Sequence, residues 1–352
     1  VSDGLARDWP RAGEPRAAGV IRSEAADFEV EERLGFEPEG SGEHVFLFIQ
    51  KQHLNTADVE RQLARLGGVP RRDIGYCGMK DKHALTRQWF SVGLAGREEP
   101  DWSALESDQL QVLVQSRHRR KLRRGVHRAN RFRLVVRDLT GERGALEDAL
   151  QRVGREGVPN YFGEQRFGRQ GGNIEAALDW LRGRGRAPKR HLRSLYLSAL
   201  RALLFNELLA QRVEAGDWQL PRAGDACVLA GSASVFTANE IDEELLSRVD
   251  SGDVHPGLPL WGLGEPLCSG ARWEELRTAL AGMAEILEFL EARELALAWR
   301  PARVLPDDFC WQFCDDDRMV LEFTLGAGSY ATAVLRELCD YKDKSGGERN
   351  TQ

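Results

Sequence analysis

No stretch of this chain stays apolar for the ~18 residues that a membrane-spanning helix needs, so a transmembrane helix is excluded. The segment Val1 to Gly19 mixes Arg, Asp and Glu with small residues and has no apolar core, so no secretory signal is expected. Cysteine is scarce: six are scattered over 352 residues, too few for a disulfide framework, as expected in a reducing cytoplasm. Walker A, Gly-x-Ser-x-Gly and His-Glu-x-x-His motifs are missing, as are internal repeats and low-complexity tracts. Trp261-Gly-Leu-Gly264 lacks the third glycine of a dinucleotide loop. Cys310-Trp-Gln-Phe-Cys314 has no second ligand pair at finger spacing, so it reads as buried thiols beside aromatics.

What is present is globular and long enough for two cores, at 42% hydrophobic and 30% charged residues. The net charge of −6 hides a strong local asymmetry. Nine cations and no acid lie between Arg117 and Arg133, among them Arg119, Arg120, Lys121, Arg123 and Arg124. A second acid-free group holds Arg182, Arg184, Arg186, Lys189, Arg190 and Arg193. Charges beyond a Debye length of ~8 Å are screened, so local field decides whether phosphates are attracted. A solvated arginine-rich face is the plain alternative.

The ends of the chain read as strand-rich α+β. Val45 to Ile49 reads as a buried strand. Asn55 and Asp58 form a capping-box pattern before Val59, Leu63 and Leu66, and Gly67-Gly68 stops that helix. Short strands are expected at Ile74 to Cys77, Gln88 to Val92 and Val320 to Thr324. In the alternation from Arg131 to Arg137, Phe132, Leu134 and Val136 share one face. Asn130 is set with the arginines on the other. The middle reads as helix-rich: Ile174 to Leu181, a long helix from Leu195 to Val213 capped by Ser194, and Trp273 to Leu297. The tail from Lys342 is expected to fray. Pro159 and Pro301 to Pro306 mark borders, which suggests one domain inserted into another.

The chemistry concentrates in Gly75 to Val92. Asp81 follows a strand and a glycine, between Lys80 and Lys82, which favour its ionised form. An ionised carboxylate at a strand end serves as nucleophile or base, or merely caps a turn. Asn130 and Phe132 follow the strongest basic run, where an aromatic can stack an unpaired base for ~1–3 kcal/mol or simply fill the core. His83, His118 and His127 leave open a metal-independent ribonuclease.

Four blocks in order then resemble the TruD family of tRNA pseudouridine synthases. They are Gly78-Met-Lys80-Asp81-Lys-His-Ala84-Leu-Thr86-Arg-Gln88-Trp-Phe-Ser91, Gly125-Val-His-Arg-Ala-Asn130-Arg-Phe132, Pro159-Asn-Tyr-Phe-Gly163-Glu-Gln165-Arg166-Phe167-Gly168, and Leu325-Gly-Ala327-Gly328-Ser329-Tyr330-Ala331-Thr332 with Leu335-Arg336-Glu337-Leu338. The resemblance implies an α+β pseudouridine-synthase catalytic domain with a mixed, mainly antiparallel sheet, residues 1-157 and 305-352. A helix-rich α/β domain, 158-304, interrupts it. It implies isomerisation of uridine-13 in tRNA, with Asp81 as the catalytic aspartate. Phe28, Asn130, Phe132 and Tyr330 fall where the family contacts the target nucleotide. Arg22, where lysine is common, or Lys80 is expected to support Asp81. Gly326 stands for a usual proline and Tyr330 for a common phenylalanine, whose hydroxyl needs a polar partner if buried. Uridine and pseudouridine have the same atoms, so no cofactor or metal is expected. The partner is tRNA, held by Arg119, Arg120, Lys121, Arg123 and Arg124. A cytoplasmic monomer is expected, with no membrane and no obligate protein partner. A non-catalytic RNA-binding protein is the rival that shares the basic clusters.

Overall fold

The computed structural model describes residues 8–168, 171–184, 186–232, 234–315 and 317–346. Its elements begin with β1 (Ala17–Ile21), β2 (Phe28–Arg33), β3 (His44–Lys51), α1 (Thr56–Leu66), β4 (Ile74–Tyr76), β5 (Leu85–Gly93), β6 (Leu110–His118), β7 (Ala129–Gly141) and α2 (Arg143–Glu156). The middle adds β8 (Val158–Pro159), α3 (Glu164–Phe167), α4 (Gly172–Leu181), α5 (Arg190–Glu214), β9 (Asp225–Leu229), β10 (Val235–Ala238), α6 (Glu243–Asp250), β11 (Val254–Leu260), α7 (Gly270–Ala279), α8 (Ala284–Glu291), β12 (Ala298–Pro301) and β13 (Arg303–Val304). β14 (Asp307–Asp315), β15 (Arg318–Gly326), α9 (Ala331–Arg336) and β16 (Asp340–Asp343) complete the order. Contacts divide the chain into two compact units. One holds Arg16–Leu150, Pro306–Gly328 and Cys339–Gln352; the other holds Val1–Pro15, Gln151–Leu305 and Ser329–Leu338.

The first unit is built on a ten-stranded sheet with the path β14-β15-β7-β2-β5-β3-β6, extended by β1, β16 and β4. It is mixed and mainly antiparallel: β2 with β5 and β1 with β16 are the parallel pairs. Val45, Leu47 and Ile49 of β3 are fully buried with Phe90 and Val92 of β5 and with Val59 and Leu63 of α1. Each such aliphatic side chain contributes roughly 1.5–3 kcal/mol. α1 starts where expected: the Asn55 N–H donates to the Asp58 carboxylate at 2.9 Å. It ends at Gly67, whose N–H donates to Leu63 O, and Gly68 follows at a φ of 59° that a side chain would strain.

Asn130 faces the core with Phe132 and not with the arginines. β7 pairs with β15 in unbroken register from Ala129, so period two puts residues 130, 132 and 134 on one face. Cys310 and Cys314 are exposed on β14 rather than buried thiols. The tail does not fray at Lys342: β16 pairs with β1, Val20 opposite Lys342 and Ile21 opposite Asp343.

The second unit packs α3, α4, α5, α7 and α8 around Leu200, Leu204, Phe205, Leu208 and Trp261, beside the sheet β10-β9-β11-β12. α5 begins at Arg190 with Lys189 as its cap, so Ser194 lies inside the helix; the apolar period simply starts later than the hydrogen bonding. The expected helix from Trp273 to Leu297 breaks around Gly282 into α7 and α8 and ends at Glu291, because Gly282 weakens the helix that the leucine spacing favours. β8 and β13 pair antiparallel, Pro159 opposite Arg303, and bring the two ends of the middle segment together.

Candidate active site

β2 and β5 run parallel with Glu29 opposite Leu85, which sets the loop before β5 beside the start of β2. That loop carries Lys80 and Asp81. It is tied down from beneath: Lys80 N donates to Thr56 Oγ1 at 2.9 Å, and Gln88 Nε2 donates to Gly78 O at 3.2 Å. Lys51, 1% exposed, donates from Nζ to Leu54 O at 2.9 Å, Asp81 O at 3.1 Å and Lys80 O at 3.4 Å. The Asp81 carboxylate accepts the His83 N–H at 2.9 Å, which shapes an Asx turn.

Asp81 keeps 21% of its side chain exposed and pairs with Arg22 at 3.4 Å. Arg22 is itself buried and has a left-handed φ of 55°, which costs a non-glycine residue on the order of 1 kcal/mol. Its guanidinium lies 3.9 Å from the centre of the Phe28 ring, and its other amino group bonds Asp343. Asp343 reaches it because Ile21 and Asp343 are paired in the parallel ladder of β1 and β16. Phe28 and Phe132 are buried and meet edge to face at 6.4 Å, and Phe132 stacks on Phe323 at 5.5 Å.

Lys80 turns the other way. Its ammonium lies 3.2 Å from the fully buried Glu32 carboxylate and donates to Asn130 Oδ1. Asn130 Nδ2 lies 3.3 Å from His127 Nε2. An ammonium has no lone pair, so Oδ1 is the end of the amide facing Lys80, and Nδ2 donates to a neutral His127 ring. Burial, reinforced by the Lys80 charge, pushes the His127 pKa down, which agrees. Glu32, Cys77 and His127 bring their ligand atoms within 4.8 Å of one another. Burial, then the Glu32 charge, pushes the Cys77 thiol up to about 12, so it is a protonated thiol. Lys80 already supplies the cation that Glu32 faces, and the group reads as a hydrogen-bonded cluster rather than a thiolate ligand set.

Burial lowers the Lys51 pKa from 10.5 to about 8, and the Asp81 charge partly offsets this. The folded value lies below the unfolded one, so this group makes stability rise with pH between about 8 and 10.5. Asp81→Asn removes the charge that raises Lys51. The Lys51 midpoint, followed by NMR of carbon-13-labelled lysine, is therefore expected to fall below its wild-type value. An unchanged or higher midpoint contradicts this electrostatic link.

The basic segment lies on the same unit's surface. Leu122 anchors it, buried against Leu34, Phe46 and Cys77, with its N–H donating to Ser91 Oγ at 3.0 Å. Gly75 allows that close approach: a Cβ there would meet Leu122 O at 2.4 Å. Arg120, Arg123 and Arg124 are exposed, and Arg124 stacks 3.9 Å over the Tyr76 ring. Lys121 donates to Arg72 O, and Arg119 pairs with Glu39 at 3.0 Å. Arg117, Arg131 and Arg133 also find acids, Glu99, Glu322 and Glu29, on other elements, so the window free of acids in sequence is partly neutralised in space.

Arg22, Phe28, Lys80, Asp81, Asn130 and Phe132 thus gather along one face of β2 and β7 and at the loop before β5. Tyr330 belongs to the other unit, where its hydroxyl accepts from Arg166 at 2.9 Å and its ring meets Phe162 edge-on at 6.0 Å. The hydroxyl has the polar partner it needs. Glu32, Lys51 and Asp343 were missed in the sequence. A signal exists for two of them: Lys51 continues the buried parity Val45, Leu47, Ile49, and Glu32 continues Phe28, Val30. Asp343 carries none.

A family profile described as tRNA pseudouridine synthase D (TruD) matches residues 11–177 and 174–338. A protein named tRNA pseudouridine synthase D from Methylococcus capsulatus is 47% identical over 335 residues, 95% of either chain. One of the same name from Nitrosococcus oceani is 45% identical, covering 92% of this chain and 91% of its own. A crystal structure of a candidate tRNA pseudouridine synthase D from Methanosarcina mazei matches in fold, with a TM-score of 0.64 at 22% identity over 94% of both chains.

Proposed function

This chain belongs to the TruD family of tRNA pseudouridine synthases, and on that premise we propose that it isomerises uridine to pseudouridine in tRNA, at uridine-13, with Asp81 as the catalytic residue. The observation that carries the reading is a half-buried carboxylate, open to solvent on one side and gripped on the other by a buried guanidinium. Arg22 aims the Asp81 carboxylate, and Asp343 keeps Arg22 in place. The reaction breaks N1–C1′, turns the base over, joins C5 to C1′, and exchanges the C5 hydrogen for one on N1. Atoms and electrons balance within the nucleoside, so a positioned carboxylate is sufficient in principle.

The target nucleotide leaves its stack at a cost of a few kcal/mol. Phe28, Asn130, Phe132 and Tyr330 are the residues assigned to hold it, with Lys80 in support. Phosphates elsewhere on the tRNA are assigned to Arg119, Arg120, Lys121, Arg123 and Arg124, whose surface position favours that role. The catalytic domain is read as 1-157 and 305-352 with 158-304 inserted, supported by the β8–β13 pairing at the base of the insertion. The protein is read as a cytoplasmic monomer. No helix among the described residues is long and apolar enough to cross a membrane.

Incubation with tRNA carrying tritium at C5 of uridine tests the reading. Tritium release with the RNA at full length is expected. Shortened RNA would instead indicate a ribonuclease, and binding without release from any cellular tRNA would leave a binding protein. Mapping pseudouridine in tRNA from cells with and without this chain tests position 13.

A further inference from the structure

We infer that Glu32 is a positioning residue that fixes which end of the Asn130 amide meets the target nucleotide, acting through Lys80. The inference rests on the reading of Asn130 as a nucleotide contact. Glu32 lies opposite Asn130 in the β2–β7 ladder, on the buried face they share with Phe132. Its side chain is 0% exposed and that of Lys80 8% exposed, so neither charge has bulk water to relax into. One carboxylate oxygen accepts the Trp89 N–H of β5 at 3.2 Å; the other faces the Lys80 ammonium. Two strands therefore pin the carboxylate, and the carboxylate pins the ammonium.

The ammonium fixes the amide. With Lys80 donating to Oδ1 and His127 Nε2 accepting from Nδ2, a flipped Asn130 would set its NH₂ against an ammonium and its oxygen against a ring nitrogen lone pair. The second lone pair of Oδ1 and the second hydrogen of Nδ2 are then presented in one fixed order. A pyrimidine edge carries both donors and acceptors, so that order decides whether the bound base is matched or opposed. Neutralising Glu32 leaves Lys80 buried without its carboxylate, so the ammonium is no longer held against Asn130 Oδ1 and the amide is free to flip.

The test is a double-mutant cycle on tritium release, with tRNA affinity measured alongside. Glu32→Gln keeps the volume and an acceptor for Trp89 N–H. It is expected to lower kcat about tenfold while tRNA Kd stays within about threefold, since phosphate contacts lie elsewhere. In an Asn130→Ala background the same change is expected to cost less than about twofold, because the residue it positions is gone. An equal loss in both backgrounds, or wild-type kcat in Glu32→Gln, overturns the inference. Glu32→Asp retains the charge but retracts it, and it carries the same cycle if Glu32→Gln does not fold. Wild-type kcat in Asn130→Ala alone would instead overturn the role of Asn130 itself, a result distinct from failure of the coupling.

Discussion

Asp81→Asn is expected to lower kcat at least about a thousandfold, roughly 4 kcal/mol of barrier, while tRNA affinity stays within about tenfold. Apart from lowering the Lys51 midpoint, the substitution changes little else. Asparagine has the size of aspartate, and its side-chain oxygen can still accept the His83 N–H that shapes the loop. Lys51 holds the loop through backbone carbonyls, which the substitution leaves alone. Arg22 keeps Asp343, so no buried guanidinium is stranded. What is lost is the negative charge at the exposed side of the site, on which the proposed chemistry rests. Tritium release reads turnover and filter binding reads affinity; wild-type turnover in Asp81→Asn would end the assignment.

Asp225→Ala is expected to lower the stability of the helix-rich unit by about 3 kcal/mol, at the low end of the range for breaking a buried ion pair. Asp225 sits between two arginines, and all three side chains are nearly covered, at 6–8% exposure. One oxygen accepts from Arg212 at 2.9 Å and from the Arg222 N–H at 2.7 Å; the other accepts from Arg272 at 2.8 Å. Removing it leaves two guanidiniums short of the charge they share. Arg212 retains Asp217 and Arg272 retains Glu275, which is why the lower figure applies. Asp225→Asn, which keeps an acceptor, is expected to lose less. Urea unfolding followed by tryptophan fluorescence checks both, since Trp218, Trp261 and Trp273 belong to that unit. A loss under about 1 kcal/mol for Asp225→Ala would show that the remaining acids and backbone carbonyls suffice.

Local chemistry carried much of the fold into the sequence. The Asn55–Asp58 box, the Gly67-Gly68 stop and the alternation through Phe132, Leu134 and Val136 each depend on residues a few positions apart. Such signals survive without knowledge of the rest of the chain. One error was local: leucine spacing favoured a single helix from Trp273 to Leu297, and the weakening at Gly282 was not weighed against it. The others came where neighbours in space override neighbours in sequence. Lys342 and Asp343 looked too polar to order, yet both pair with β1; the tail beyond residue 346 lies outside the described residues.

The candidate site divides in the same way. That Asp81 follows a strand and a glycine, among cations and ahead of an asparagine–phenylalanine block, is written in the order of residues. Which cation Asp81 keeps is not. Arg22 and Lys80 were equal candidates on the chain, and only the tertiary arrangement separates them: Arg22 turns to Asp81 and Asp343, Lys80 to Glu32 and Asn130. The physical reason is that an ion pair depends on distance through space and on the water excluded around it. Both are set by strand register, and register joins residues such as Ile21 and Asp343 that lie hundreds of positions apart.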